Sequence, residues 1–362
     1  MEYLGLTVIM PPPTSKKTVS LGVKHAPEAA CLPFKINIGN LIEASELGAD
    51  TFIMAGGVGP CRFGLYAQLE KEILEEAGYK FEALVLEPPD TSVWQFLKKV
   101  KRIIGPVSWW VVFQGVCLAY KKACLVDKLE KTLQEIRCRE YFKGTADKIF
   151  NYSLLTIDQA KNTLELEEAF GLAKQKMLHV PCDQNKKVLK IGLVGEIFML
   201  LEPFASYDIE KKLGYLGAQV ERSVYLSEWI KGHLFKGMFK MKDGHKPYQE
   251  SAPPYLNHFV GGHGQESIGA GVVFADKGFD GIIQVAPLTC MPEIVAHTVF
   301  TRVSEACGIP VLTIYIDEQA AQEGINTRLE AFIDLLNERK SSVYGIMDKK
   351  NGTSLDRQKS IC

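Results

Sequence analysis

The strongest constraint on the fold is an alternation of short apolar stretches with amphipathic stretches, which occurs near both ends of the chain. In the first hundred residues, stretches 4–10, 51–55 and 81–86 have the length and composition of buried strands. Stretches 34–47 and 62–77 carry apolar residues at helical spacing. Strands that alternate with helices favour a parallel sheet covered by helices, so this part predicts an α/β unit.

The same alternation returns after residue 188, and a different pattern separates the two parts. Between residues 107 and 176 the spacing is helical, with few strand signals. Later strands are predicted at 188–194, 219–224, 281–285 and 311–316, and helices at 207–216, 265–275, 292–307 and 327–336. We therefore divide the chain into an N-terminal α/β domain (1–104), a helical segment (105–184), a C-terminal α/β domain (185–345) and a flexible tail (346–362).

Charge and composition exclude several classes of protein. The chain has 42 basic and 43 acidic residues, a balance that argues against a nucleic-acid binder. No export signal is visible, and the longest apolar run, residues 107–120, is too short to span a bilayer. We expect a cytoplasmic protein that contacts neither nucleic acid nor membrane. In that reducing compartment, its nine cysteines are more often ligands, catalysts or core residues than disulfide partners.

Three of the nine cysteines share one local context. Cys31 and Cys290 each begin a Cys-x-Pro sequence that leads into a helix, and Cys61 begins a helix after a strand and the Gly59-Pro60 turn. Helix N-termini stabilise thiolates, and ligands of parallel α/β folds collect where strands end. The three either ligate a metal centre or are small packing residues at turns. The remaining cysteines lack this context: Cys117, Cys124, Cys138, Cys182, Cys307 and Cys362.

Two glycine loops supply further candidate site residues. Gly56, Gly57 and Gly59 follow a strand and precede a helix, but they do not match the dinucleotide fingerprint, and the sequence has no P-loop. We assign these glycines to substrate binding. His263 lies between two glycines and could be a proton donor, a hydrogen-bonding group or a turn residue. Glu196 ends a strand, where it could serve catalysis or cap a helix.

Six motifs together resemble one protein family. They are GVKHAPE at 22–28, CLPFKIN at 31–37, MAGGVGPCRFG at 54–64, GGHGQES at 261–267, LTCMPEIV at 288–295 and TRLEAF at 327–332. This combination, spread over most of the chain, resembles the superfamily of 2-hydroxyacyl-CoA dehydratase D-components and benzoyl-CoA reductases. Within it, the likeness is closest to the activase-related branch, called CoA-substrate-specific enzyme activase-like.

The resemblance implies a cofactor, a partner and a chemistry. Members of the superfamily hold a [4Fe–4S] cluster by three cysteines in a cleft between two Rossmann-like domains, and Cys31, Cys61 and Cys290 match those positions. A separate ATP-dependent activase, which has its own iron–sulfur cluster, supplies a low-potential electron for radical-type reduction or dehydration of an acyl-CoA. A double cubane would need further ligands, and the contexts of Cys117, Cys124 and Cys182 do not support them.

Three alternatives stay open at this point. The protein could be a non-catalytic electron-relay or scaffold subunit of an activase–dehydratase assembly, paired with itself or with a related subunit. It could be a small-molecule reductase of the double-cubane type. A third alternative, an NAD-binding oxidoreductase, lacks its sequence fingerprint.

Overall fold

The chain forms an α/β structure with two sheets, separated in sequence by a set of long helices. The computed structural model describes residues 1–56, 59–86, 98, 100–102, 104–234 and 246–356. Within these ranges, all strand pairs are parallel, in one two-stranded and one four-stranded sheet. The predicted α/β class is therefore confirmed.

The first sheet belongs to the N-terminal part of the chain. The elements there are the 3₁₀ helix Glu2–Leu4, α1 (Lys16–His25), α2 (Leu32–Glu46), β1 (Thr51–Ala55), the 3₁₀ helix Arg62–Leu65, α3 (Tyr66–Glu76) and β2 (Glu82–Leu86). Strands β1 and β2 pair in register from Thr51 opposite Glu82 to Ala55 opposite Leu86. The predictions of strands at 51–55 and 81–86 are confirmed.

The predicted strand at residues 4–10 is wrong. Gly5 adopts a left-handed conformation (φ 75°), and residues 6–10 have no regular secondary structure. Met10 is 74% exposed, so the stretch does not contribute a buried strand. Prolines 11–13 follow directly, and proline has no N–H to donate to a strand ladder. The apolar stretch 4–10 therefore does not pair with a strand of the described sheets.

The middle of the chain is helical, as predicted. It consists of α4 (Trp109–Arg137), α5 (Thr145–Gln159) and α6 (Thr163–Leu178). Leu129, Ile157 and Leu166 form the core among these helices. Buried arginines connect α4 to the C-terminal part: Arg137 pairs with Asp147 and Glu210, and Arg222 pairs with Glu130. None of the described helices is long and apolar enough to cross a membrane.

The second sheet belongs to the C-terminal part. Its elements are β3 (Leu189–Gly195), α7 (Ile197–Leu201), α8 (Ile209–Tyr215), β4 (Ala218–Arg222), α9 (Leu226–Leu234), α10 (Lys246–Ser251), α11 (Gly264–Asp276), β5 (Gly281–Pro287), α12 (Met291–Cys307), β6 (Val311–Ile316) and α13 (Gln322–Asp356). The predicted strand at 311–316 is matched at both ends.

The strand order of this sheet indicates where a ligand would bind. The order is β4-β3-β5-β6, so the chain leaves β3 toward one edge and returns on the other side of β3. Open parallel sheets bind ligands beyond the carboxyl ends of their strands, at the point where the order reverses. Here that point lies between β3 and β5. Glu196 follows β3 directly, and Cys290 lies in the turn after β5.

Helix α2 packs against both sheets. Its residues Leu32 and Ile36 belong to the core of the C-terminal sheet, together with Val285. Phe34 and Ile38, which also lie on α2, pack instead with Phe52 of β1. The buried ammonium of Lys35 binds the carboxylate of Glu318, which follows β6, at 2.7 Å. The helix that begins after Cys31 therefore joins the two parts of the molecule.

Candidate metal centre

The three candidate cysteines occupy equivalent local positions. Cys31 is the N-cap of α2, Cys290 is the N-cap of α12, and Cys61 is the N-cap of the 3₁₀ helix that leads into α3. A proline lies in the first turn of α2 and of α12, where its missing N–H is not needed. All three thiols are partly buried and free. The predicted context, a cysteine at the start of a helix, is confirmed at each position.

Tyr66 packs against Cys31. Its hydroxyl contacts the Cys31 Sγ, and its ring packs edge-on against Phe34 at 4.6 Å and Phe63 at 5.7 Å. Burial raises the pKa of Tyr66 well above its usual range, and the Cys31 and Cys61 thiols raise this pKa further. The phenol therefore keeps its proton at neutral pH and can donate it to the Cys31 sulfur.

Cys290 and Cys31 share a charged neighbourhood with Glu196. Burial raises the pKa of the Cys290 thiol, and the negative charge of Glu293 acts in the same direction. Glu196 and Cys31 raise the pKa of Cys290 further, and Glu196 also raises that of Cys31. The negative charge of Glu196 therefore disfavours the thiolate form of both cysteines.

The thiolate state differs from the sequence-based expectation. Helix N-termini lead us to expect stabilised thiolates, and backbone N–H groups of Phe34 and Glu293 do lower the pKa values of Cys31 and Cys290. Burial outweighs them, so both pKa values lie above the usual value for cysteine. In the metal-free chain these two thiols are protonated at neutral pH. A bound metal would displace the protons.

Arg62 contacts the segments that precede the other two cysteines. Its Nη1 donates to the backbone carbonyl of Ala29 at 2.9 Å, and its Nη2 donates to the carbonyl of Thr289 at 2.8 Å. Ala29 lies two residues before Cys31, Thr289 directly precedes Cys290, and Arg62 directly follows Cys61. One guanidinium therefore touches or adjoins all three cysteine segments. The sequence gives no signal for this role, which depends on residues from distant parts of the chain.

The glycine loop at 261–264 lies against the same segments. Gly261 has φ +91°, and a Cβ there would lie 2.8 Å from the backbone nitrogen of Cys61. A Cβ on Gly264 would lie 2.4 Å from the backbone oxygen of Pro292, in the first turn after Cys290. His263, the partly buried N-cap of α11, is held between these two contacts. Its predicted role as a proton donor stays a prediction.

Two carboxyl groups, the half-buried Glu196 and the fully buried Glu293, act electrostatically on the thiols. Glu196 accepts a hydrogen bond from the Met199 N–H at 3.1 Å, so it caps α7, and burial raises its pKa to about 7. Its catalytic assignment stays a prediction. Glu293 was not predicted; it is fully buried, accepts from Ser267 at 2.9 Å and from Gln284 at 2.8 Å, and has a pKa raised by burial to about 7. Its place in the Cys-x-Pro-Glu sequence could have indicated it.

The glycine loop after β1 is described only in part. Gly59 has φ +129°, a conformation that side chains rarely adopt, and a Cβ there would lie 3.0 Å from the Phe259 ring. Gly56 is partly buried at the end of β1. Gly57 lies outside the described residues. The substrate-binding role assigned to these three glycines stays a prediction.

The donor set suits an iron–sulfur cluster. Within the described ranges, no three His, Cys, Asp or Glu side chains are grouped so that they could hold one metal ion. A [4Fe–4S] cluster is held differently, because each thiolate binds its own iron. Thiols that start three helices, with backbone N–H groups near the Cys31 and Cys290 sulfurs, fit such a cluster, whose potential depends on hydrogen bonds to sulfur. The cluster itself stays a prediction.

Comparison of the chain with protein-family models gave no match, and comparison with curated proteins gave none either. The likeness to the dehydratase superfamily therefore rests on the six motifs alone.

Proposed function

We propose that this chain is an iron–sulfur protein in which Cys31, Cys61 and Cys290 bind a [4Fe–4S] cluster between two Rossmann-like domains. One observation carries the proposal. Arg62, which directly follows Cys61, donates hydrogen bonds to the segments that precede Cys31 and Cys290, and Cys290 lies where the strand order reverses. The six sequence motifs support the same ligand assignment.

The surrounding residues have definite roles in this proposal. When bound, the cluster supplies one-electron transfer, and three protein ligands leave one iron open. Tyr66 donates its hydroxyl proton to the Cys31 sulfur, and Arg62 places positive charge near it. Glu196 and Glu293, whose pKa values burial raises to about 7, hold protons beside the site near neutral pH.

The reaction class and partner follow from the resemblance. The protein would receive electrons from an ATP-dependent activase with its own iron–sulfur cluster, and use them to reduce or dehydrate an acyl-CoA thioester. The absence of a P-loop in the sequence is consistent with ATP hydrolysis by a partner. This proposal places the protein in the cytoplasm, as a homodimer or beside a related subunit, without nucleic-acid or membrane contacts.

A second candidate function is electron relay without turnover. It is favoured by the burial of Tyr66, whose ring lies between Phe34 and Phe63 and whose hydroxyl contacts Cys31. A relay needs electron transfer but no access for a thioester. Azide or cyanide added to the reduced protein separates the two: a changed electron paramagnetic resonance spectrum indicates an open iron, and an unchanged spectrum favours relay.

Metal analysis of anaerobically purified protein tests the proposal. We expect a brown protein with about four irons and four acid-labile sulfides per chain. Cys31→Ala, Cys61→Ala and Cys290→Ala should each lower the iron content strongly. Two matched controls, Cys117→Ala at an exposed thiol and Cys138→Ala at a buried one, should retain it. A colourless wild-type protein after anaerobic reconstitution with iron and sulfide would contradict the proposal.

A further inference from the structure

We propose that Arg62 is the positioning residue that holds the three cysteine segments together, and that its charge tunes the proposed cluster. The first half of this inference concerns the folded chain itself. The second half rests on the proposed function. The hydrogen bonds of Arg62 go to two backbone carbonyls, so its role is exerted through the segments that carry the ligands.

The guanidinium of Arg62 spans the two parts of the molecule. Its two terminal nitrogens donate to two carbonyls, those of Ala29 and Thr289, at 2.9 and 2.8 Å. These carbonyls belong to the N-terminal and the C-terminal part of the molecule. Arginine presents several donors in a rigid planar fork, whereas lysine presents a single ammonium. A guanidinium group is therefore suited to fix the distance between two backbone segments.

The two segments that Arg62 contacts are turns, one directly before Cys31 and one that closes at Cys290. The Ala30 N–H donates to the Pro27 carbonyl at 3.0 Å, and the Cys290 N–H donates to the Pro287 carbonyl at 3.0 Å. Both amides therefore report directly on whether their turn is closed. If Arg62 holds these turns against each other, its loss should open both amides to solvent exchange, although they lie on different parts of the fold.

The charge of Arg62 provides the second effect. The guanidinium brings one positive charge to the place where the three cysteine segments meet, because Arg62 directly follows Cys61 and donates to the carbonyls of Ala29 and Thr289. Three thiolates would concentrate negative charge here, and reduction of a cluster adds one more. A neighbouring cation favours the reduced state. Removal of this cation should therefore lower the reduction potential.

Two variants separate the paired hydrogen bonds of the guanidinium from its charge. Arg62→Met removes both properties, and Arg62→Lys keeps the positive charge but loses the planar set of donors. Arg302→Met is the control, because Arg302 is an exposed arginine on α12, the helix that Cys290 begins. Hydrogen exchange is measured on the reduced, metal-free full-length chain. The midpoint potential is measured on the reconstituted protein.

We expect Arg62→Met to speed exchange at Ala30 and Cys290 by about tenfold or more, as for loss of hydrogen bonds to a charged group. Arg62→Lys should speed exchange less, and Arg302→Met should leave it unchanged. In the reconstituted protein, Arg62→Met should shift the redox equilibrium about tenfold, or about 59 mV downward, while Arg62→Lys restores most of that shift.

Each outcome has a defined reading. Unchanged exchange at both amides in Arg62→Met overturns the positioning role. A potential that falls equally in Arg62→Met and Arg62→Lys overturns the charge role. A wild-type chain that binds no iron contradicts the proposed function, and with it the charge role, whereas faster exchange in its Arg62→Met variant still supports the positioning role. Arg62→Lys, the milder change, decides the exchange result if Arg62→Met does not fold.

Discussion

The two sheets of this chain are covered to very different extents. All seven residues of β5, Gly281–Pro287, are buried, and helices pack on both faces of its sheet. In β1, Thr51–Ala55, Phe52 is buried but its neighbour Ile53 is 39% exposed. Parallel sheets are usually buried on both faces. The N-terminal sheet is therefore stabilised by packing on one face only. Helix α2, which also packs against the C-terminal sheet, contributes to that packing.

This difference matters because the candidate ligands are divided between the two parts. Cys31 and Cys61 adjoin the less covered sheet, and Cys290 follows β5, a fully buried inner strand of the better covered one. Contacts across the boundary hold the first two in place: Lys35 with Glu318, Arg62 with Thr289, and Cys61 with Gly261. The well-packed C-terminal part thus stabilises the positions of Cys31 and Cys61 in the N-terminal part.

A pair of isoleucine substitutions measures the contrast directly and should give the largest effect. Ile283→Ala, at a fully buried position of β5, should lower the free energy of unfolding by about 2–5 kcal/mol. Ile53→Ala, in β1, should lower it by less than about 1 kcal/mol, because the side chain is already partly in water. Urea unfolding monitored by circular dichroism gives both values. Equal losses would refute the contrast in burial.

Glu70 offers a way to strengthen the N-terminal part. It is 1% exposed on α3, its Oε1 has no hydrogen-bond partner, and burial raises its pKa to about 8. Between about pH 4.5 and 8 the unfolded chain ionises this group while the folded chain keeps it protonated, so stability is lost as pH rises. Glu70→Gln should therefore raise the free energy of unfolding by about 3 kcal/mol at pH 7.

Urea unfolding at pH 5 and pH 8 checks this prediction, since the gain from Glu70→Gln should grow with pH. Glu76→Gln, an exposed position on the same helix, is the control and should show little change at either pH. A gain that is the same at both pH values would show that Glu70 is ionised in the folded chain.

The Lys35–Glu318 pair tests the connection between the two parts. Glu318→Gln leaves the buried ammonium of Lys35 without its charged partner and should cost about 2 kcal/mol at pH 7. Burial acts to raise the pKa of Glu318, but the hydrogen bond and charge of Lys35 outweigh it, so the pKa lies below its usual value. The stabilisation is therefore present above the unfolded-state pKa and is lost as pH falls through the folded-state value.

Unfolding of wild type and Glu318→Gln should consequently differ at pH 7 and converge at strongly acid pH. Glu330→Gln, at an exposed position of α13, supplies the control. A difference that persists unchanged at acid pH would mean that the Glu318 carboxylate contributes by packing and not by its charge.

Tyr66→Phe is expected to have the smallest effect. It removes only the hydroxyl that contacts the Cys31 sulfur and leaves the ring against Phe34 and Phe63. The metal-free chain should lose about 1 kcal/mol of unfolding free energy, the usual value of one hydrogen bond. Thermal unfolding in reducing buffer measures the loss, with Tyr141→Phe at an exposed tyrosine as control. A larger loss would indicate that the phenol has further partners.

The elements that the sequence predicted best are those with a local pattern. Strand β6 was predicted at both ends, because its apolar residues are bounded by a proline and by acidic residues. The three helix-starting cysteines were predicted for the same reason: proline and glycine mark their turns locally. The strand at residues 4–10 failed because its apolar run gives no information about whether a neighbouring strand exists.

The roles of Arg62, Tyr66 and Lys35 could not be predicted, because each depends on a contact between distant residues. Arg62 reaches Thr289, Lys35 reaches Glu318, and Tyr66 reaches Cys31. Arg62 is exposed and Tyr66 lies in the core, as is usual for these residue types, so their sequence context does not reveal these partners, whereas the burial of Lys35 is itself unusual for a lysine. Likewise, burial decides the pKa values of Cys31 and Cys290, and the sequence indicates only the helix starts that oppose it.

The division of the site between the two parts also sets an order of events during synthesis. More than half of the chain lies between Cys61 and Cys290, so the ribosome needs about 10 to 50 seconds to proceed from one to the other. During that interval Cys31 and Cys61 exist without their third companion, and Arg62 lacks the Thr289 carbonyl. Under the proposed function, the site is therefore completed late in translation, and cluster binding requires that the two early thiols stay reduced until then.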